Sequence, residues 1–126
     1  MNEDKLGYKI SASVNDEIFE IILTGAIAVN GISKAFKRVY DIIGENNPEK
    51  LLVDVREVTG RYGYTQAYFQ IRDYPSSFHN IKHALVDIPD HKDYRTFYQY
   101  VAARVVGLSF KWFTDIDVAR TWLNGK

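Results

Sequence analysis

A chain of 126 residues, 46% hydrophobic and 25% charged, has the size and composition of one globular domain that can bury a core. Sixteen basic residues balance sixteen acidic ones, so the basic excess that drives phosphate binding is missing and nucleic acid is not expected as a partner. With no cysteine, disulfides, thiol nucleophiles and thiolate metal sites are excluded.

The N-terminal Met-Asn-Glu-Asp-Lys is polar and shows no secretory apolar stretch. No apolar run approaches the ~20 residues of a membrane span, so no span is expected and a cytoplasmic location is the default. Tyr8, Ile10, Ala12 and Val14 then alternate with Lys9, Ser11 and Ser13, the period of a strand buried on one face. Asn15-Asp16 suits a two-residue turn, and residues 17–24 should return antiparallel up to Gly25.

Asn30 is placed to cap a helix running to Ile43, with Ile32, Ala35, Phe36, Val39 and Ile43 at helical spacing and Gly44 as its stop. Residues 51–55 form a short apolar run, as expected of a central strand covered on both faces. Tyr64, Ala67, Tyr68 and Ile71 line a second helix that must end before Pro75. Residues 84–88 read as the next buried strand. Tyr94, Phe97, Tyr98, Val101, Ala102 and Val105 mark a third helix stopped by Gly107. A strand over residues 110–113 and a helix capped by Thr114 close the chain, Thr114 and Asp117 imitating a capping box.

The order ββαβαβαβα predicts a single α/β domain over residues 1–126, with its core over about residues 8–123. It implies a mixed five-stranded sheet opened by an antiparallel hairpin and covered by four helices. The segments Leu51-Leu-Val-Asp-Val-Arg-Glu-Val-Thr-Gly60, Lys82-His-Ala-Leu-Val-Asp87 and Phe110-Lys-Trp-Phe-Thr-Asp with Ala119-Arg-Thr-Trp-Leu123 carry a resemblance. With that element order, the chain resembles the SpoIIAA-like family of the STAS fold, the fold of anti-sigma-factor antagonists, with the CRAL-TRIO lipid-binding proteins as more distant relatives. The resemblance implies a regulatory, protein-binding module. Regulatory antagonists carry an Asp-Ser-Ser-Gly-like segment after the third strand; here Tyr62-Gly63-Tyr64 stands in its place, and the nearest hydroxyls are Thr59 and Thr65. A serine-phosphorylation switch is therefore not expected.

Thr59-Gly60-Arg61-Tyr62-Gly63-Tyr64-Thr65 is the leading candidate site. It follows the carboxyl end of a central strand and enters a helix, where free N–H groups favour an anion. Arg61 adds charge and the tyrosines add flat contact area; the competing reading is a plain connection with Tyr64 in the core. Phe69, Tyr100 and Arg104 lie off their helices' main stripes and make a candidate partner surface. Asp54, Asp87, Asp90 and Asp93 cluster near strand ends, where turn and capping roles explain them better than phosphoryl transfer. His79, His83 and His91 are expected in loops or at the surface, without the helical spacing of a metal pair. No Gly-x-Ser-x-Gly elbow is present.

The expectation is a non-enzymatic interaction module that needs no cofactor or metal and contacts another protein or, as a homodimer, itself. A small apolar or anionic ligand near Arg61, Tyr62 and Tyr64 is the alternative. An enzyme with an unrecognised acid/base pair ranks third.

Overall fold

The computed structural model describes residues 7–26, 31–59, 70, 72–102 and 107–125. Five strands, β1 (Tyr8–Asn15), β2 (Ile18–Ala26), β3 (Lys50–Thr59), β4 (Lys82–Val86) and β5 (Phe110–Phe113), form one sheet in sequential order. β1 and β2 pair antiparallel; β2, β3, β4 and β5 are parallel throughout. Three helices are described, α1 (Ile32–Asn46), α2 (Lys92–Tyr100) and α3 (Ile116–Leu123). The fourth expected helix, around Tyr64 and Ile71, falls mostly on positions outside the described residues, with Gln70 and Arg72 helical near its end; the expected cap Asn30 also lies outside them.

Successive right-handed crossovers between adjacent parallel strands place their helices on one face. Accordingly α1 and α2 share a face, and of the described helices only α3, which follows the last strand, turns back onto the other. On the α1 side Phe19, Ile21 and Leu23 of β2 pack with Ile10, Leu51 and Ile81 under Ala35, Val39 and Ile43. On the α3 side Ile18, Leu52, Ala84, Val86 and Phe113 pack against Ala119 and Leu123. Each large apolar side chain fully buried in this way contributes about 1.5–3 kcal/mol.

Several boundaries differ from the sequence expectation. The hairpin turns at Asp16 and Glu17, not Asn15-Asp16, because Asn15 pairs with Ile18 and the two turn residues take φ of 52° and 69°. β2 continues through Gly25, where a Cβ would collide with the Gly7 carbonyl oxygen. α1 does not stop at Gly44 but runs to Asn46; Asn47, in the left-handed conformation, donates its N–H to the Ile43 carbonyl at 2.8 Å. β3 extends well beyond Val55, and β4 starts two residues early, leaving Asp87 and Ile88 past its end. Val101 and Ala102 continue α2 in a wider, π-type turn.

The cap of α3 is Asp115 rather than Thr114. Its Oδ1 accepts from the N–H groups of Asp117 and Val118 at 2.8 and 3.3 Å, two of the donors a helix start leaves unpaired. The other end is held from the sheet. Lys82 Nζ donates to the Trp122 carbonyl at 2.6 Å, and Lys50 Nζ to Asn124 Oδ1 at 2.8 Å. These lysines are register partners on β3 and β4, so one row of the sheet places two positive charges at the negative end of the helix. Asn124 Nδ2 also donates to Asp16 Oδ2 at 3.1 Å, tying the hairpin to the C-terminal helix. Among the described residues no helix is long and apolar enough to cross a membrane.

Candidate functional site

α3 starts beyond the carboxyl end of β5 and finishes beside the amino ends of β2 and β3. It therefore diverges from β2 toward the carboxyl ends and leaves the α3 side of β1, β2 and β3 open there, among the described residues. The register exposes the composition of that surface. Lys9, Thr24 and Glu57 form one row across the three strands, and Ser11, Ile22 and Asp54 form the next. The partner offset between β2 and β3 grows by one between Ile22 and Thr24, so β3 carries an extra residue opposite Leu23. This bulge reverses the side-chain parity of β3. Val58 consequently joins the α1-side core, and Glu57 faces the α3 side.

The bulge is stabilised by its own charges. Asp54 Oδ1 accepts from the Arg56 backbone N–H at 3.1 Å and from Nε at 3.0 Å, while Oδ2 accepts from the second guanidinium nitrogen at 2.8 Å. An N–H that the interrupted ladder would leave unpaired thus finds an acceptor. The bidentate pair strengthens the protonated state of Arg56, chiefly through the hydrogen bond to Asp54; burial and the nearby Arg120 oppose it. Asp54 is 7% exposed and therefore lies in the sheet rather than in a turn.

A second pair lies beside the first. Arg120 of α3 reaches Glu20 of β2 with Nε to Oε2 at 2.7 Å and a second nitrogen to Oε1 at 2.9 Å. Glu20 is 4% exposed in a strand otherwise apolar at Ile18, Phe19 and Ile21. That carboxylate has no place in the apolar core, and the α3 arginine is what makes its burial tolerable. Between these pairs and the strand ends lies a cleft of about 420 Å³, lined by Ile22, Leu23, Thr24, Asp54, Arg56 and Glu57. Its position at the carboxyl ends of parallel strands is the usual place for binding in an open α/β sheet.

Of the residues expected from sequence to form the site, Thr59 is exposed at the end of β3, two residues beyond Glu57. Gly60, Arg61, Tyr62, Gly63, Tyr64, Thr65, Phe69 and Arg104 lie outside the described residues. Tyr100 is described only as the last residue of α2. Sequence reading missed Ile22, Thr24, Arg56, Glu57 and the Glu20–Arg120 pair. The available signal was the lone acid within Ile18-Phe19-Glu20-Ile21, whose partner a hundred residues away no local pattern could supply.

A separate polar cluster occupies the α1 side. His83, expected at the surface or in a loop, is instead a buried residue of β4, 7% exposed. Its Nε2 lies 2.8 Å from Tyr74 Oη, and the two rings pack edge to face at 5.3 Å. Tyr74 stacks in turn on Tyr40 and Phe78. Burial pushes the His83 pKa down to about 4, with the carbonyls of Ile81 and Ser109 opposing and His79 adding to the shift. Burial likewise raises that of Tyr74. The pair is therefore neutral near pH 7, a hydrogen-bonded wedge between α1 and the sheet. Among the described residues no three acidic or imidazole groups are placed to hold a metal.

An open sheet of this order, opened by a hairpin and closed by a helix on the opposite face, defines an α/β scaffold with its exposed surface at the β1–β3 corner. Solved structures share it. An anti-sigma factor antagonist from Mycobacterium paratuberculosis aligns over 93% of this chain and 94% of its own, with a TM-score of 0.64 and 13% identity. An uncharacterized protein of the DUF3478 family with a SpoIIAA-like fold, from Shewanella loihica, aligns over 93% of both chains with a TM-score of 0.56 and 15% identity. The chain has a STAS/SpoIIAA-like fold. No family model and no curated protein matches the sequence.

Proposed function

We propose that this chain is a non-enzymatic STAS-like regulatory module that acts by protein contact in the cytoplasm, without the phosphorylatable serine of regulatory antagonists. The observation that supports this reading most is the open α3-side surface at the carboxyl ends of β2 and β3. Its described walls come from two neighbouring strands, whereas a small-molecule site needs convergent walls that bury most of the ligand. Arg56 is already matched in charge by Asp54, which accepts from its Nε and one terminal nitrogen, so it offers a phosphate or carboxylate no uncompensated charge. What remains is a shallow surface with exposed Ile22 at its centre and charges around it, the layout of an interface core and rim.

Photo-cross-linking in the source cells tests the proposal. A cross-linker at Thr24 should give discrete adducts, and one at Lys34 on the exposed side of α1 should not. Equal labelling from both positions, or none from Thr24, would sink the contact reading.

A small apolar or anionic ligand near Thr59 and the following loop is the second reading. It is favoured by the cleft volume, which falls in the usual range of about 300–1,000 Å³ for ligand sites. Native mass spectrometry of the purified chain separates the two readings, because a retained small mass supports the ligand and its absence supports protein contact.

A further inference from the structure

We infer that two copies of this chain pair antiparallel along the outer edge of β1, over residues 11–15, about a twofold axis that passes between the two Ser13 residues perpendicular to the sheet. Among the described residues β1 has a neighbouring strand on one side only. Gly7 accepts from the Ala26 N–H at 2.9 Å, and in an antiparallel ladder the inward bonds recur at every second residue. Lys9, Ser11, Ser13 and Asn15 therefore bond to β2, while Ile10, Ala12 and Val14 turn their N–H and C=O groups outward. Ile10 is already engaged, whereas Ala12 and Val14 have no donor or acceptor on that side among the described residues. Residues 11–15 are all exposed, so no described helix stands over this stretch. It also lacks the devices that keep natural sheet edges apart, since residues 10–15 carry no charge, no proline and no bulge.

A half-turn makes this edge its own complement. Ala12 of each copy falls opposite Val14 of the other, and each such pair exchanges both N–H···O=C bonds. An axis centred on Ala12 would need the edge of Ile10, and one centred on Val14 would leave a single bonded pair before the turn begins. On the α1 side Val14, 71% exposed, covers the small Ala12 of the other copy. On the α3 side the two Ser13 hydroxyls meet at the axis and Ser11 faces the second copy's Asn15, polar groups that can hydrogen-bond. The hairpin turn of each copy comes alongside Lys9 of the other. Glu17 in that turn and Lys9 are both exposed and make no ion pair among the described residues, so each meets an opposite charge across the joint. The sheets join edge to edge, with their helices above and below the joint rather than in it. This edge is separate from the α3-side surface at the carboxyl ends of β2 and β3, so both can be used at once.

The absence of cysteine from the chain allows a direct test. Ser13 and its counterpart form a non-hydrogen-bonded pair with Cα atoms about 4.5 Å apart, within disulfide range. Ser13→Cys should therefore give a covalent dimer on mild oxidation in air. Ser11→Cys, whose counterpart is about 14 Å away along the strands, should not. Sedimentation velocity on the full wild-type chain, from micromolar to submillimolar concentration, should show a reversible dimer. Ala12→Pro should abolish it, because proline removes an outward donor and leaves the β2 ladder intact. Ser13→Lys, which sets like charges at the axis, should also leave only monomer. Lys9→Glu and Glu17→Lys should each raise the dimer Kd by roughly tenfold, and the chain carrying both should recover the original value. Circular dichroism should report an unchanged fold for all of these variants. A wild-type chain that stays monomeric throughout overturns the inference. So does a dimer that survives both Ala12→Pro and Ser13→Lys, or a Ser13→Cys chain that cross-links no better than Ser11→Cys. None of these outcomes touches cross-linking from Thr24, so failure of the edge pairing leaves the contact module standing.

Discussion

The two faces of the sheet bury their residues by different chemistry. Under α1 the rows are apolar, Ile10 with Leu23 and Ile21 with Val53, and His83, a buried polar residue on that side, is held neutral by burial and bonded to Tyr74. Under α3 the same strands are apolar only as far as the helix covers them, at Ile18, Leu52, Ala84 and Val86. Beyond the helix the pattern changes to Glu20 and Asp54, each engaged by a bidentate arginine. Buried ion pairs are weak sources of stability, since desolvation takes back most of the attraction. The α1 side therefore carries the fold. The α3 side gives up apolar burial to keep a polar surface open.

A tolerant α1 side would erase this difference between the faces. Ile21 is fully buried there, and Ile21→Ala should cost about 4 kcal/mol by urea unfolding through lost transfer energy and the cavity left behind. A loss under about 1 kcal/mol would mean that this face does not hold the core. On the α3 side, Arg120→Met strands the buried Glu20 carboxylate and should cost about 3 kcal/mol. The contrast lies in the double variant: Glu20→Leu with Arg120→Met should restore wild-type stability or exceed it, as replacement of an ion pair by apolar groups commonly does. No recovery would show that the pair is a net source of stability.

Acid sharpens the contrast from the other direction. The folded chain holds His83 neutral with a pKa of about 4, against an ordinary value of 6.5. Between these values the unfolded chain binds the extra proton. The contribution is thus complete above about pH 6.5 and is lost as pH falls toward 4, a decline of about 2–3 kcal/mol. His83→Gln keeps a partner for Tyr74 without titrating, so its unfolding midpoint should vary less across that window. Equal slopes for both proteins would place the sensitivity elsewhere.

The fold was legible where its cause is local. Alternation marked β1, the helical stripe over Ala35, Val39 and Ile43 marked α1, and the closing strand and helix were read to within a residue or two. Ends were less legible, because competing stops sit close together. Asn47 rather than Gly44 ends α1, and Asp115 rather than Thr114 caps α3, since tertiary packing selects among several adequate residues. The α3-side surface was hidden for a different reason. It depends on a bulge that reverses parity within β3 and on Arg120 meeting Glu20 from the far end of the chain, and neither leaves a periodic trace. His83 was misplaced because a strand start reading Ile81-Lys-His resembles a loop exit until Tyr74 is seen to cover it.

The smallest effect belongs to the hairpin that joins the two regimes, and it runs toward greater stability. Asp16 and Glu17 both sit at positive φ, the conformation of a turn that normally takes Asn or Asp followed by Gly. Asp16 is a tolerated residue there, and its carboxylate accepts from Asn124. Glu17 is exposed and makes no compensating contact among the described residues, so it carries the strain of the left-handed region unaided. Glu17→Gly should relieve about 1 kcal/mol, reduced somewhat by the greater freedom glycine gives the unfolded chain. A higher urea midpoint at unchanged slope is the expected result. A lower midpoint would mean that the turn is held by the Asn124 contact and strand pairing strongly enough for its strain to be immaterial. In that case the α3 side, through its C-terminal clasp, would contribute more to the hairpin than its ion pairs suggest.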